Sequence, residues 1–265
     1  MSQLTDQAYL RTEQYRDASN LDARICVHQL FSTNGYPWHR WVFDQFDLQR
    51  RCVILDVGCG PGDLWVENED RIPAGWTITL SDMSPGMLQK ARHNLHSSHR
   101  TFGYCVVDAQ DIPFPGESFE AVIANHVLYH VPDEDRALYE IHRVLRPGGH
   151  LYAATNGLDH LRELRDLVTR FDASADTPIA AAEFGLENGE AQLSRHFTCV
   201  TRHRRDDTLV VTEAEPLVAY ARSMMGETAL RQNIEAFSRL VHERIAARGA
   251  IHIQKDSGLF IATKG

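Results

Sequence analysis

The sequence lacks long apolar runs, paired cysteines and an excess of positive charge, and each absence narrows the class of protein. No run of about 18 apolar residues occurs, so we expect no membrane-spanning helix. Residues 1–17 contain no apolar core of the kind found in secretory leaders, which predicts no signal peptide. The five cysteines are odd in number and lack CxxC spacing, a pattern that predicts reduced thiols and a cytoplasmic protein.

Positive charge is scarce, since the formal net charge is −9. Proteins that bind nucleic acid normally present a basic face. The basic cluster Arg202 to Arg205 is followed directly by Asp206 and Asp207, and we interpret it as a solvated strand end. The composition therefore predicts neither a nucleic-acid nor a membrane partner. A length of 265 residues with 43% hydrophobic content suits one large domain, or one domain with a cap.

The most informative stretch that is present runs from Cys52 to Leu64, CVILDVGCGPGDL. Its apolar first half predicts a buried parallel strand, with Asp56 at the carboxyl end. The glycines that follow predict a tight turn, either a cofactor-binding loop or a plain connection from strand to helix. Asp63 occupies the last position of the dinucleotide fingerprint G-x-G-x-x-G/A. This departure argues against a nicotinamide or flavin oxidoreductase.

Three stretches resemble the class I S-adenosylmethionine-dependent methyltransferases of the small-molecule type. They are DVGCGPG from Asp56, SDMSPGML from Ser81, and NHVLYHVPDEDRALYEIHRVLRPGG from Asn125. The resemblance covers about residues 50–156. It implies an α/β fold with a Rossmann-like seven-stranded sheet, mostly parallel with an antiparallel last strand and flanked by helices. It also implies S-adenosyl-L-methionine as cofactor.

Two helical regions are predicted outside the stretch that carries the resemblance. Residues 1–50 form a helical arm rich in aromatic side chains, which either packs on the sheet domain or also closes over the cofactor as a lid. Residues 51–265 form the methyltransferase domain. Within it, residues 213–249 are predicted to be a helical insertion between the last two strands that caps the substrate pocket.

Cofactor binding is predicted from the glycine loop and from acidic residues at strand ends. Free backbone N–H groups of the loop and of the next helix suit the methionine carboxylate, and Asp56 is placed to meet the ammonium. Asp82 lies 20 residues after Gly62, where an acidic residue binds ribose hydroxyls. Its alternative role, a helix N-cap, is already filled by Ser84.

The resemblance extends this set. In related methyltransferases the acidic residue after the third strand, here Asp108, binds the adenine amino group, and Cys59 is interpreted as a small packing residue. The full predicted cofactor set is Asp56, Gly58, Cys59, Gly60, Gly62, Asp82, Met83, Asp108, Ala109, Asn125 and Tyr15.

The acceptor side is predicted around His126, Tyr129 and His130. The two histidines are four residues apart, so on a helix they share a face. Each is either a packing residue or a general base, and His126, with a pKa expected near neutrality, is the first candidate. Quinone O-methyltransferases of this superfamily carry acidic residues where His126 and Tyr129 stand, which argues against Mg²⁺ here. A softer metal bound by His126 and His130 is a further alternative, but no residue is predicted as a metal ligand.

The sequence therefore predicts methyl transfer to a small-molecule acceptor, with oxygen or nitrogen favoured over carbon as the acceptor atom. Residues 125–128 read Asn-His-Val-Leu, where methyltransferases of base amines carry an Asn-Pro-Pro-Tyr type of motif. The alternative function is a non-catalytic or regulatory protein that binds S-adenosylmethionine.

Overall fold

A seven-stranded sheet forms the centre of the computed structural model, which describes residues 5–16, 19–171, 179–224 and 233–265. The strand order is β3-β2-β1-β4-β5-β7-β6; strands β1 to β5 are parallel, and β7 is antiparallel to both of its neighbours. This arrangement confirms the predicted fold. The strands are β1 Arg51–Val57, β2 Gly75–Asp82, β3 Phe102–Val106, β4 Phe119–Asn125, β5 Leu145–Asn156, β6 Cys199–Val211 and β7 Ile251–Thr263.

Helices cover both faces of the sheet and its β6–β7 end. The α-helices are α1 Gln7–Tyr9, α2 Ser19–Phe31, α3 Trp38–Asp44, α4 Asp63–Glu67, α5 Pro85–Asn94, α6 Glu134–Val144, α7 Arg162–Phe171, α8 Ala180–Glu183, α9 Gly189–Leu193, α10 Ala214–Met224 and α11 Ile234–Arg248. Shorter turns are a π-helix at Leu10–Gln14 and 3₁₀-helices at Glu69–Arg71 and Leu128–His130. Within the described ranges, none of these helices has the length and apolar character needed to cross a membrane.

The apolar run of β1 is buried on both faces of the sheet. Ile54 and Leu55 are both fully buried, and they belong to the hydrophobic clusters on opposite faces. Successive side chains of a strand point to opposite faces, so a strand covered on both sides has no polar alternation. Because β1, β2 and β4 are parallel, their carboxyl ends meet at one edge of the sheet. Asp56, Asp82 and Asn125 are among the last residues of these strands.

A third hydrophobic cluster lies beyond the main sheet. Strand β7 pairs with β5 only from Ser257 to Thr263, whereas its pairing with β6 continues to Ile251. The extended part of this hairpin packs with α2, α7, α10 and α11 through side chains such as Val27, Leu217 and Phe237. The helices α10 and α11 lie between β6 and β7 in the chain.

One helix prediction was wrong. The segment after β4 is a single 3₁₀ turn, and His126 precedes it with φ of +55°, so His126 and His130 do not share an α-helical face. The first crossover helix, α4, ends at Glu67, and a separate 3₁₀ turn, Glu69–Arg71, follows.

Candidate active site

A cavity of about 1060 Å³ lies at the carboxyl edge of the sheet, between the glycine loop, the arm and the extended β6–β7 hairpin. The structure brings nearly all of the predicted site residues to its wall. Those that line it are Tyr15, Asp56, Gly58, Cys59, Gly60, Asp82, Met83, Asp108, Ala109, Asn125, His126, Tyr129 and His130. Gly62 does not line it. That glycine precedes α4 and faces Ala91 and Leu95 of the sheet domain.

The glycine loop owes its path to left-handed backbone. Gly58, Gly60 and Gly62 have φ of +70°, +54° and +81°, a region that residues with a Cβ atom rarely adopt. A Cβ atom at Gly58 would also lie 2.6 Å from Cγ2 of Val127, so the loop passes closer to the end of β4 than any side chain allows. The loop is therefore fixed by what glycine lacks.

The backbone N–H groups of this loop are already bonded. Cys59 N–H donates to the carbonyl of Ser81 at 2.9 Å, and Gly62 N–H donates to the carbonyl of Cys59 at 3.1 Å. Gly60 N–H donates to the Asp82 carboxylate at 3.0 Å. The expectation that the loop offers free N–H groups was therefore wrong for these three residues. The loop positions its neighbours instead.

Asp82 connects the loop to the next helix. Its second oxygen accepts from Ser84 N–H at 2.8 Å, and burial raises the pKa of the carboxyl while both backbone bonds lower it. Ser84 Oγ accepts from Met87 N–H at 3.3 Å, so Ser84 caps α5 as predicted. Each Asp82 oxygen accepts one protein hydrogen bond and has a second lone pair available for a ligand.

Asp56 is buried, and only one of its oxygens has a partner. Oδ2 accepts from Nε1–H of Trp65 at 2.7 Å, whereas Oδ1 has no hydrogen-bond partner. Burial raises the pKa of this carboxyl to about 7, opposed by the bond from Trp65. An unpaired carboxylate oxygen beside the loop suits a cationic donor, because a buried acceptor without a partner costs free energy.

The arm contacts both sides of the cavity. Nε2 of Gln7 donates to the Asp108 carboxylate at 3.3 Å, and the Tyr15 hydroxyl lies 3.0 Å from Nε2 of His130. Ser84 Oγ donates to the Tyr15 carbonyl at 2.8 Å. These contacts join residues 7–15 to the ends of β2, β3 and β4.

His126 is half-buried and packs against an aromatic side chain that was not predicted as part of the site. Its ring centroid is 5.4 Å from that of Trp38, on α3. Burial lowers the pKa of His126 to about 4, so the expected value near neutrality was wrong. Tyr129, which is buried, has its pKa raised well above the ordinary value by desolvation. Both side chains are therefore neutral at pH 7.

The side of the cavity away from the glycine loop is polar, and sequence reading missed most of it. Arg205 was interpreted as part of a solvated strand end, yet it is only 7% exposed and lines the cavity. Along the second half of β6, burial alternates from one residue to the next, and Arg205, Asp207 and Leu209 share the inner face. This alternation is the signal that could have indicated that Arg205 is covered. The other residues missed on this side include His160 and Lys255.

Metal ligands are not clustered here. Among the residues that the structure describes, no group of three or more His, Cys, Asp or Glu side chains is arranged to hold a metal ion. All five cysteines lie in the described ranges and are free thiols.

Comparison with known proteins finds a family match over part of the chain and solved structures with the same fold. Residues 55–153 match the family described as "Methyltransferase domain". A ubiquinone/menaquinone biosynthesis C-methyltransferase, UbiE, of Hahella chejuensis is 34% identical over 116 residues, which cover 43% of this chain and 47% of that protein. The chain spans about half the length of the curated relatives it matches.

Solved structures with the same fold cover more of the chain. Phosphoethanolamine N-methyltransferase 2 of Haemonchus contortus, in complex with S-adenosyl-L-methionine, has a TM-score of 0.60 at 18% identity and covers 97% of this chain and 59% of its own. The YcgJ protein of Bacillus subtilis has a TM-score of 0.58 at 15% identity, with 85% and 97% covered. At these identities the likeness concerns the fold.

Proposed function

We propose that this chain, which belongs to the class I S-adenosylmethionine-dependent methyltransferase superfamily, transfers a methyl group from S-adenosylmethionine to a small-molecule acceptor. The observation that carries the proposal is the arrangement of three carboxylates around one cavity. Asp56 is the last residue but one of β1, Asp82 is the last residue of β2, and Asp108 follows β3 by two residues; all three line its wall.

The residues of this wall fit the cofactor. The unpaired oxygen of Asp56 would meet the ammonium of the methionine part, and the remaining lone pairs of Asp82 would accept from the ribose hydroxyls. Asp108 would accept from the adenine amino group, which is a donor only. Arg24, on the helix whose Leu21 approaches Gly60, supplies a cation on the wall for the carboxylate.

S-adenosylmethionine, when bound, supplies an electrophilic methyl group attached to a positively charged sulfur. What the chain must add is alignment of the acceptor and exclusion of water. Tyr15 and Trp38 line the cavity from the arm side, and Asn125 and His126 line it at the end of β4. With its pKa near 4, neutral His126 is a weak proton acceptor. We infer that it orients the acceptor through one hydrogen bond.

The names of the relatives bear on the identity of the acceptor atom. The sequence reading favoured oxygen or nitrogen, but the relatives matched over the domain carry names of C-methyltransferases. A carbon acceptor fits their activity, and nothing in the comparisons favours oxygen or nitrogen. We therefore propose a methyltransferase that acts on a small molecule, and the proposal does not favour oxygen or nitrogen over carbon as the acceptor atom.

Binding of labelled S-adenosylmethionine tests the proposal. Asp82→Ala should weaken binding by roughly 1–3 kcal/mol, because it leaves two ribose hydroxyls without an acceptor. Asp135→Ala, at an exposed ion pair with His196, is the matched control and should leave affinity unchanged. Equal affinity of the Asp82 variant and the wild type would remove Asp82 from the ribose site.

The second candidate function is a regulator that binds the cofactor without using it. Incubation with labelled cofactor and a panel of small-molecule acceptors separates the two functions, since a regulator would bind cofactor and transfer no label. Transfer that is lost together with binding in the Asp82 variant supports the enzyme.

A further inference from the structure

We propose that the acceptor carries an anionic oxygen group, a carboxylate or a phosphate monoester, and that this anion binds beside Arg205 and Lys255. The proposal rests on the proposed methyl transfer for its meaning. The binding site itself is argued from the structure alone. It lies on the side of the cavity formed by the extended β6–β7 hairpin.

Two buried cations share a single carboxylate at this position. In the β6–β7 register Arg205 faces Ser257 and Asp207 faces Lys255. Lys255 Nζ donates to the Asp207 carboxylate, while Nη1 of Arg205 lies 3.8 Å from it. The side chains of Arg205, Asp207 and Lys255 are 4%, 2% and 9% exposed. Two cations and one anion leave a net positive charge out of contact with bulk water.

The carboxylate oxygens of Asp207 already accept hydrogen bonds from donors other than Arg205. Besides Lys255, its oxygens accept from Ser32 Oγ and, at 3.1 Å, from the N–H of Asn34. Burial opposes ionisation of Asp207, but the bonds from Lys255 and Ser32 keep its pKa below the ordinary value. The carboxylate is therefore charged and fully engaged, so the second cation is only partly neutralised.

Arg205 has a buried N–H without an acceptor. One guanidinium nitrogen, Nη2, donates to the Tyr36 carbonyl, but Nε has no hydrogen-bond partner. Burial lowers the pKa of Arg205, and the charge of Asp207 raises it. Guanidinium groups bind carboxylates and phosphates through paired N–H donors, so an unpartnered N–H on a cavity wall points to such a ligand.

Three neutral imidazoles lie near the two cations. His28, His126 and His160 line this part of the cavity. Burial first, and the charge of Lys255 in addition, lower the pKa of His28 to about 3, of His126 to about 4, and of His160 well below the ordinary value. Each is therefore a neutral imidazole at pH 7, and Nδ1 of His28 has no partner.

Charge is divided between the two halves of the cavity. The carboxylates of Asp56, Asp82 and Asp108 lie at the strand ends near the glycine loop, whereas Arg165, Arg205 and Lys255 lie on the other half. An anionic group on the acceptor is therefore attracted to the half that holds Arg205 and Lys255. This division favours one orientation of the acceptor.

One indole ring contacts both the anion site and His126. The Arg205 guanidinium carbon lies 5.7 Å from the Trp38 ring centroid, and the His126 ring centroid lies 5.4 Å from it. We infer that a planar acceptor ring packs beside Trp38, with its anion at Arg205. Trp38, Tyr129 and Tyr220 provide aromatic walls for such a ring.

The test compares three probes of one shape, namely benzoate, phenyl phosphate and neutral benzamide. Their affinities are measured by calorimetry on the full chain, with and without S-adenosylhomocysteine. At least one anion should bind about tenfold or more tightly than benzamide, because charge-assisted bonds exceed neutral ones. Preference for benzoate identifies a carboxylate acceptor, and preference for phenyl phosphate a phosphorylated one. Equal affinity for all three probes would overturn the proposal.

Variants locate the anion. Arg205→Gln and Lys255→Met should each reduce the preference for the anion over benzamide by about tenfold. Arg204→Gln is the matched control, because its side chain is exposed on the same strand and pairs with Glu187. Unfolding curves of each variant show whether it folds. If both folded variants keep the full preference, the anion binds elsewhere and the proposal is wrong.

Failure of the proposed function is seen separately. Affinity for S-adenosylhomocysteine is measured in the same samples without any probe. If the chain prefers the anion but does not bind S-adenosylhomocysteine, the proposed methyl transfer is wrong and the anion site stands. If the chain binds S-adenosylhomocysteine normally but shows no preference for the anion, only the anion site is wrong.

Discussion

Gly58 shows at the scale of one residue how the cavity wall is fixed. Its φ of +70° and the 2.6 Å approach of a Cβ atom to Val127 are two separate obstacles to any side chain. We expect Gly58→Ala to lower the free energy of unfolding by about 2 kcal/mol more than a variant that meets only the first obstacle.

Gly148→Ala provides that comparison. Its φ is +75°, and a Cβ atom there would meet no atom within 4 Å. Urea unfolding of both variants measures the difference. Equal losses would mean that Val127 moves aside at no cost and that the contact does not fix the loop.

His126 is the residue at which the structure changes the expected chemistry. A neutral imidazole of pKa about 4 is a poor base at pH 7, but it can orient a ligand. We expect His126→Asn to keep most of the turnover, because asparagine also tolerates φ near +55° and offers a hydrogen bond. His126→Ala should lose at least about tenfold.

Turnover against pH decides between the two roles of His126. In the orienting role, wild type and His126→Asn have the same profile between pH 6 and 8. If the asparagine variant loses as much as the alanine variant and its profile shifts, His126 transfers a proton. Cofactor affinity, measured in parallel, should change by no more than a few fold in either variant.

Among the structural elements, the arm makes the most specific contacts with the cavity. Besides Gln7 and Tyr15, the backbone of Arg16 touches α5: a Cβ atom at Gly86 would lie 2.2 Å from the Arg16 carbonyl oxygen. That the arm is a lid stays a prediction. We expect S-adenosylhomocysteine to slow protease cleavage within residues 1–45, since ligand and arm contact the same wall.

Gly86→Ala tests the contact from the other side. Alanine favours the helix itself, so its main effect is to push the arm away and to speed cleavage without ligand. Gln89→Ala, an exposed position on the same helix, is the control. Cleavage that is equal with and without ligand would leave the arm as ordinary packing.

The elements differ in how far sequence predicts them. The apolar run of β1 and the cap at Ser84 are local signals, and both were confirmed. The predicted helix after β4 was wrong. One 3₁₀ turn is enough to pack Val127, Leu128 and Val131 in the hydrophobic cluster on that face of the sheet.

The acceptor side could not be predicted in the same way. Arg205 and Lys255 are 50 positions apart, and only the β6–β7 register brings them to one carboxylate. A charged strand segment looks solvated until the helices that cover it are known. The glycine loop was found because its chemistry is contiguous in sequence, whereas the anion site is assembled from distant segments.

At the scale of the whole molecule, the cavity lies between the sheet and the third hydrophobic cluster, and half-buried histidines occupy the junction. The ring of His28 lies 5.9 Å from Tyr220 and 6.1 Å from His160 by centroid. Burial lowers the pKa of His28 from 6.5 to about 3. The histidine therefore stays neutral in the folded chain at pH values where it is protonated in the unfolded chain.

This difference makes stability depend on acid in a defined direction. As the pH falls below about 6.5, the unfolded chain binds a proton that the folded chain does not, so stability falls until about pH 3. Between pH 7 and pH 5, His28 should account for a loss of roughly 2 kcal/mol in the free energy of unfolding. His28→Gln should remove that part of the loss.

Urea unfolding at both pH values, in the wild type, in His28→Gln and in His203→Gln, measures the effect. His203 is exposed on β6, so its variant should lose as much stability as the wild type. Asp56, whose pKa is raised by burial, contributes with the opposite sign in the same range, but it is present in all three proteins and cancels in the comparison. Equal acid losses in all three would mean that His28 is accessible to protons in the folded chain, and that the junction between the sheet and the third cluster opens to water.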